Sequence, residues 1–439
     1  MAQRFVAWGL LNLLAAGPGL GLLAAFDAAT DGSLALQYPI FGTHAWMTMM
    51  GWAVPTMFAL VCLLLPVLKD VPFQSNTAAG ICLFLLIVST LGLAAYLFLA
   101  HTGRSALFIL PPIWAFYLIC GIIYNIIVWR HTARSLRPTA TDIGVQSGAV
   151  WLLIVLSVKV IAALGGFGTG RHDFLASSDA AVLIAMMFGF LGNTGLAVAG
   201  AVAPAFLLTP HPRAKVLNAF TFYNVMVAIW CLGAAWVLPW PFSFGRLFLA
   251  LAGLLLLTAV IRILIEMRLF ELVSYRANSR RRKLTRLALA TGTIMFTFSA
   301  AVISLIGIWN AATMYYAPAE MITLPMHFFM IGFFSNLVIA LFVPLLGARS
   351  LSGAKLVFAY LAYVMFLLWL VAKLALAVMG IVSHETLWYP RYIVGGLAAA
   401  AAVSLALWMF SAIVFPGRSA APQATVPPPA QDAPPPLMQ

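Results

Sequence analysis

From Phe41 to Pro66 the chain reads FGTHAWMTMMGWAVPTMFALVCLLLP, an apolar run interrupted by one histidine and no acidic or basic side chain. A run of this length spans the hydrocarbon core of a bilayer as a helix. In lipid the backbone must satisfy its own hydrogen bonds, which leaves few other folds open to it. Similar runs tile nearly all 439 residues, which are 64% hydrophobic and 8% charged. Such a chain has no stretch left for a soluble catalytic domain. The expectation is an all-α integral membrane protein with one membrane domain over residues 1–416. Residues 417–439, rich in Pro, Ala and Gln, are too poor in large apolar side chains to build a core and are expected to be disordered.

Hydropathy places twelve helices near 5–26, 38–67, 77–100, 106–129, 146–166, 178–208, 216–238, 243–270, 286–310, 319–346, 355–381 and 391–415. Charge then sorts the loops. Lys69, Arg130, Arg134, Arg137, Arg213, Lys215, Arg349, Lys355 and Arg418 follow even-numbered helices, as does the block Arg276, Arg280, Arg281, Arg282, Lys283 and Arg286. The alternate loops carry Asp27, Asp31, Asp173, Asp179, Glu320 and Glu385. The positive-inside rule puts both termini in the cytoplasm. It also explains the net charge of +13 without nucleic acid as a partner. Anionic lipid headgroups are the expected partner of the basic block. The first apolar run begins at Phe5, lacks a convincing cleavage site, and reads as a spanning helix. Cys62, Cys82, Cys120 and Cys231 all fall within apolar runs, with no spacing that implies a disulfide or a zinc site. No internal repeat is obvious.

Two histidines fall inside the runs, His44 near the start of the second and His327 in the tenth, TLPMHFFMIGFFSNLVIALFVPLLG. Both helices enter from the outer side, so the two imidazoles lie at similar depth. An imidazole in a span needs a partner. Two at one depth on separate helices suit the opposite faces of one haem iron, with Gly51, Gly332, Met47, Met50 and Met330 leaving room for a flat macrocycle. The plainer alternative is that each histidine bonds a neighbouring carbonyl or hydroxyl as interhelical glue.

THAWMTMMGWAVP, closing in LLLP, resembles helix two of the haem–copper oxidase subunit I superfamily, with His44, Pro55 and Pro66 at the matching places and Met47 one position early. PMHFFMIGFF resembles the family's helix ten, with His327 matching the second His of a His-x-His pair when Gly332 anchors the comparison. The resemblance implies a subunit I-like bundle of twelve transmembrane helices. It also implies one low-spin haem b ligated by His44 and His327, an electron-donor protein or quinol as partner, and the bacterial inner (cytoplasmic) membrane as location. Pro325 replaces the first His of the pair, and AVLIAMMFGFLGNTGLAVAGAVAPAFLL and AFTFYNVMVAIWCLGAAWVL hold no histidine where the family takes its copper ligands. No copper and no oxygen-reducing binuclear centre are therefore expected. The NnrS-like family of nitric oxide metabolism shows a similar pattern, with one His early in helix two and another in a late helix.

In the oxidases the loop before helix twelve supplies arginines to the haem propionates, a role the resemblance gives to Arg391 in SHETLWYPRYIVGG. An interfacial anchor, beside Trp388, Tyr389 and Tyr392, is the alternative. His101 and Arg104 fall at the outer end of helix three, His172 and His384 on outer loops, and His131 and His211 on inner ones. Lys159 and Lys373 lie within spans and are candidate functional cations, with snorkelling to the interface the expectation for Lys373. Asn193, Asn224 and Asn336 are expected to donate hydrogen bonds between helices. The function expected is electron transfer or a redox or gas response at one haem; a catalytic oxidase or nitric oxide reductase is disfavoured. A twelve-helix secondary transporter remains the reading from another class, although the internal repeats and matched Gly/Pro-interrupted helices that such transporters show are not evident in the sequence.

Overall fold

The computed structural model describes residues 1–20, 44–69, 76–99, 106–133, 139–169, 181–237, 243–313, 319–345, 354–383 and 388–414. Nearly all of these residues are helical. In chain order the rods are α1 (Ala2–Leu14, continuing as a π-helical turn Ala15–Gly19), α2 (His44–Leu64), α3 (Asn76–Leu99), α4 (Leu110–Thr132), α5 (Ala140–Thr169) and α6 (Ala181–Leu207). They continue with α7 (Val216–Val237), α8 (Ser243–Glu266), α9 (Arg280–Thr313), α10 (Thr323–Leu345), α11 (Ala354–Ser383) and α12 (Trp388–Val414). Ten of them are long and apolar enough to cross a membrane, and α12 adds the shorter apolar stretch Gly396–Ala412. The outward faces carry large apolar side chains, including Phe84, Ile161, Leu232 and Val371, each more than three-fifths exposed. An apolar exterior of this extent suits lipid rather than water. The tail, residues 417–439, lies outside the described residues.

Burial divides the rods into two classes. In the most apolar window of α6 every residue is buried, and in those of α2 and α10 83% are; in the other seven spans the share is 33–50%. So α2, α6 and α10 form the centre and the remaining spans shield them. Each central rod lies against the rod before it, α1, α5 or α9. The pairs α3–α4, α7–α8 and α11–α12 pack outside, and α12 returns to α1.

The three central rods share one irregularity. Each is π-helical in its first half: Met47–Ala53, Ala185–Gly192 and Phe328–Phe334. Single π turns are uncommon and concentrate at functional sites. Each π segment contains a glycine pressed on the preceding rod. A methyl group on Gly51 would lie 2.8 Å from the Asn12 side chain, one on Gly189 2.6 Å from the Trp151 ring, and one on Gly332 2.6 Å from Met295 Cβ. Without a Cβ the paired rods close to van der Waals contact, the main attraction between helices in lipid. Gly51 and Gly332 therefore serve rod packing, which corrects the expectation that they make room for a macrocycle.

Part of this recurrence is written in the sequence. Met187-Phe188-Gly189-Phe190-Leu191-Gly192-Asn193 and Met330-Ile331-Gly332-Phe333-Phe334-Ser335-Asn336 match as Met-x-Gly-Phe-apolar-small-Asn. Both asparagines donate to the glycine carbonyl of their own segment, Asn193 to Gly189 at 2.6 Å and Asn336 to Gly332 at 2.7 Å. The two segments thus form a short internal repeat that hydropathy alone does not show.

Two rods begin earlier than hydropathy places them, because caps rather than apolar residues start them. Ser279 Oγ accepts from Arg282 N–H at 3.3 Å, so most of the basic block forms the first turns of α9. Thr139 and Asp142 bond reciprocally, Thr139 N–H to Asp142 Oδ2 at 2.9 Å and Asp142 N–H to Thr139 Oγ1 at 3.3 Å, and α5 starts there. Part of the block's charge docks on protein: the Arg281 guanidinium lies 5.8 Å from the Phe206 ring and Arg286 donates to the Tyr275 carbonyl.

Candidate functional site

The relative direction of α2 and α10 follows from residue pairs. Trp46–Trp114 and Phe58–Tyr124 make α2 parallel to α4. Asn125 bonds Ala149 while Gly121 faces Leu156, so α4 and α5 are antiparallel. Gly148 faces Thr194 and Gly144 faces Ala197, so α5 and α6 are antiparallel too. Phe188–Phe329 and Gly195–Leu337 make α6 parallel to α10. Hence α2 and α10 run in the same direction.

Their register is fixed by one contact. Trp52 and Phe334 meet edge to face with centroids 5.8 Å apart. Trp52 lies eight residues after His44 and Phe334 seven after His327. With a rise of about 1.5 Å per helical residue, the two histidines stand at nearly the same height.

Each imidazole is held at Nδ1 by a backbone carbonyl. His44 Nδ1 lies 2.6 Å from the carbonyl oxygen of Ala16, in the π turn that ends α1. His327 Nδ1 lies 2.8 Å from the carbonyl of Thr323, one turn earlier on its own helix. A carbonyl only accepts, so each Nδ1 carries the proton and each neutral ring presents the Nε2 lone pair. Among the described residues neither Nε2 is hydrogen-bonded. Fixing the tautomer from behind through a backbone carbonyl is how ligating histidines are oriented. The plainer alternative, bonding to a carbonyl, is thus also met, at Nδ1 alone. The His327 ring lies 5.1 Å from that of Trp369 on α11. Among the described residues no three His, Cys, Asp or Glu side chains gather as a bare metal ion requires. A porphyrin supplies four nitrogens itself, so two imidazoles suffice for it.

The space beside His327 toward α6, α7 and α9 is filled by aromatic rings. Phe296 lies 5.2 Å from Phe188, 5.7 Å from Phe329 and 4.7 Å from Phe333, and Tyr223 donates to the Phe188 carbonyl at 2.6 Å. Met47, Met50 and Met330 belong to the same buried core.

The other candidate residues divide. Arg391 sits in the first turn of α12, and its side chain lies outside what the structure describes. His101, Arg104, His172 and His384 also lie outside the described residues. His131 is buried at the end of α4 with Nδ1 on the Ile127 carbonyl at 2.8 Å, far along the chain from the pair. Lys159 is 2% exposed, with Nζ 4.6 Å from the Trp46 ring and 4.8 Å from the Trp114 ring. It is a cation boxed by two indoles, two residues beyond His44. Lys373, expected to snorkel, is half-buried on α11. Asn193 and Asn224 bond reciprocally between α6 and α7 at 2.9 and 3.1 Å, and Trp151 Nε1 joins Asn224 Oδ1 at 2.7 Å. Asn336 departs from expectation: its amide donates within α10, and its Oδ1 is buried without a partner among the described residues. No sequence pattern marks the Trp46–Lys159–Trp114 box, because the three residues come from α2, α5 and α4.

Fold and site together define a multi-pass helical membrane protein with two oriented imidazoles near the starts of two of its central rods. No protein-family model matches the chain, and no curated protein matches it.

Proposed function

We propose that the chain is a twelve-helix protein of the bacterial inner membrane, both termini cytoplasmic, that holds one low-spin haem b between His44 and His327 for electron transfer. Bound there, the haem supplies reversible one-electron exchange. His44 and His327 present their Nε2 lone pairs, and the Ala16 and Thr323 carbonyls hold the rings in that tautomer. The single observation that carries this reading is that arrangement: parallel helices, equal height, both Nδ1 atoms engaged and both Nε2 atoms unbonded among the described residues. The packed phenyl rings beside His327 and the histidine-free α6 and α7 favour one haem without copper. A quinol or an electron-donor protein is the partner this reading requires. The subunit I-like bundle and the NnrS-like family both accommodate such a pair.

A visible spectrum of the purified protein tests the reading. Split α and β bands on reduction support a six-coordinate haem. No Soret band in protein made with ample haem overturns it. A shift of the bands with nitric oxide separates the NnrS-like reading from plain electron transfer.

A second reading has its own support. The matched π-interrupted segments of α6 and α10 are the kind of repeated helix break on which secondary transporters build substrate sites. That reading gains if the protein carries no haem.

A further inference from the structure

We propose that α9 carries a site for one anionic phospholipid, with the phosphate on Arg280 and Lys283 and an acyl chain in a groove beside Ile294. The inference goes beyond the haem reading and does not depend on it.

Ile294, Thr297, Phe298 and Ala301 of α9 line the groove, together with Phe270 from the short turn Leu269–Val273 that follows α8. They enclose about 190 Å3. Phe298 is 50% exposed, so the groove opens toward lipid. Its one polar side chain, Thr297, donates to the Thr293 carbonyl at 3.1 Å. A quinone ring needs donors for its oxygens, and with that proton engaged the lining side chains offer none. A hydrocarbon chain needs only apolar contact, and the lining supplies it.

The helical period puts a basic end on the same face. Lys283 and Arg280 precede Ile294 by eleven and fourteen residues, close to three and four turns of about 3.6 residues. Both are exposed, and half-buried Leu287, about two turns before Ile294, continues the apolar strip between them. Along the axis Lys283 stands about 16 Å from Ile294, within the roughly 20 Å between headgroup and midplane of one leaflet. The acid nearest in sequence, Glu271, faces Arg213 at 3.7 Å and Arg268 at 3.8 Å. Lipid phosphate is the anion that a membrane surface supplies to Arg280 and Lys283. Charge alone draws headgroups to every base of the block; the groove makes this one face a site for a single molecule.

The test titrates the full-length protein in neutral detergent with dioleoyl phosphatidylglycerol, dioleoyl phosphatidylcholine, dihexanoyl phosphatidylglycerol and inorganic phosphate. Native mass spectrometry counts what is bound. Wild type is expected to retain one dioleoyl phosphatidylglycerol in preference to the other three. Arg280→Gln with Lys283→Gln is expected to weaken it about thirtyfold. Arg282→Gln removes a charge about a third of a turn off that face and is expected to change it by less than about twofold. Ala301→Phe fills the groove and is expected to weaken the long-chain lipid about tenfold; Ile294→Trp serves the same purpose should Ala301→Phe not fold. Equal affinity for the two dioleoyl lipids overturns the assignment. So does a loss in Arg282→Gln as large as in Lys283→Gln alone, or unchanged binding once the groove is filled. Tight binding of dihexanoyl phosphatidylglycerol or of phosphate leaves the basic block a plain anion-attracting surface and overturns it too. Far-UV circular dichroism confirms that each variant compared is folded.

Discussion

His44 Nδ1 donates to the carbonyl of Ala16, 28 residues earlier in the chain, over 2.6 Å. The bond ties the π turn that ends α1 to the first turn of α2. It sets the imidazole of one candidate ligand by the backbone of another rod. His327 needs no such help, because its acceptor is Thr323 on its own helix. The two ligands are therefore orientated by different means: one locally, one through tertiary structure.

Removal of either imidazole tests the site directly. His44→Gly and His327→Gly are each expected to lose the six-coordinate spectrum, and added imidazole is expected to restore it by filling the vacated position. Variants that keep the wild-type bands would show that the ring in question is not a ligand.

Close packing of α1 on α2 is tested at Gly51. A Cβ there meets the Asn12 side chain at 2.8 Å. Gly51→Ala is expected to lower stability in detergent by about 1–3 kcal/mol, the usual cost of overpacking. Asn12→Ala in the same chain is expected to relieve most of that cost, as the clash is with a side chain. Gly332→Ala meets Met295 at Cβ, close to the α9 backbone, so Met295→Ala should relieve it less completely. Thermal unfolding followed by circular dichroism reads all four.

The Asn193–Asn224 pair links α6 to α7 through two reciprocal bonds. A double-mutant cycle to alanine is expected to give a coupling of about 0.6–1.7 kcal/mol, the range for polar pairs between membrane helices. A coupling near zero would mean that Trp151, which also bonds Asn224, carries the link instead.

Lys159 between Trp46 and Trp114 places a cation close to the His44 side of the site. A fixed positive charge favours the reduced state of a nearby haem. Lys159→Met is expected to lower the midpoint potential by on the order of tens of millivolts, and Lys159→Arg to hold it near wild type. Redox titration at fixed pH measures the difference. A potential that rises on loss of the ammonium would contradict this role.

The long apolar runs made the helical class and nearly all rod positions legible, because a bilayer admits few other backbones. His44 and His327 were legible as well, being the histidines that fall inside spans. The starts of α5 and α9 were not found by hydropathy, since Thr139 and Ser279 act through one or two hydrogen bonds that leave the average unchanged. The roles of Gly51 and Gly332 were misread for a different reason. A glycine in a span signals close approach, but the sequence does not say what approaches; the structure shows Asn12 and Met295.

The sequence by itself determined that this chain is a bundle of apolar helices and that His44 and His327 fall inside its apolar runs, because hydrophobic length and residue type are properties of single segments. Only the tertiary structure decided which rods stand at the centre, that α2 and α10 run parallel in register, and that Lys159 stands between Trp46 and Trp114. Those are relations between segments far apart in the chain. They are fixed by ring contacts, close-packed glycines and backbone carbonyls that exist once the rods have packed.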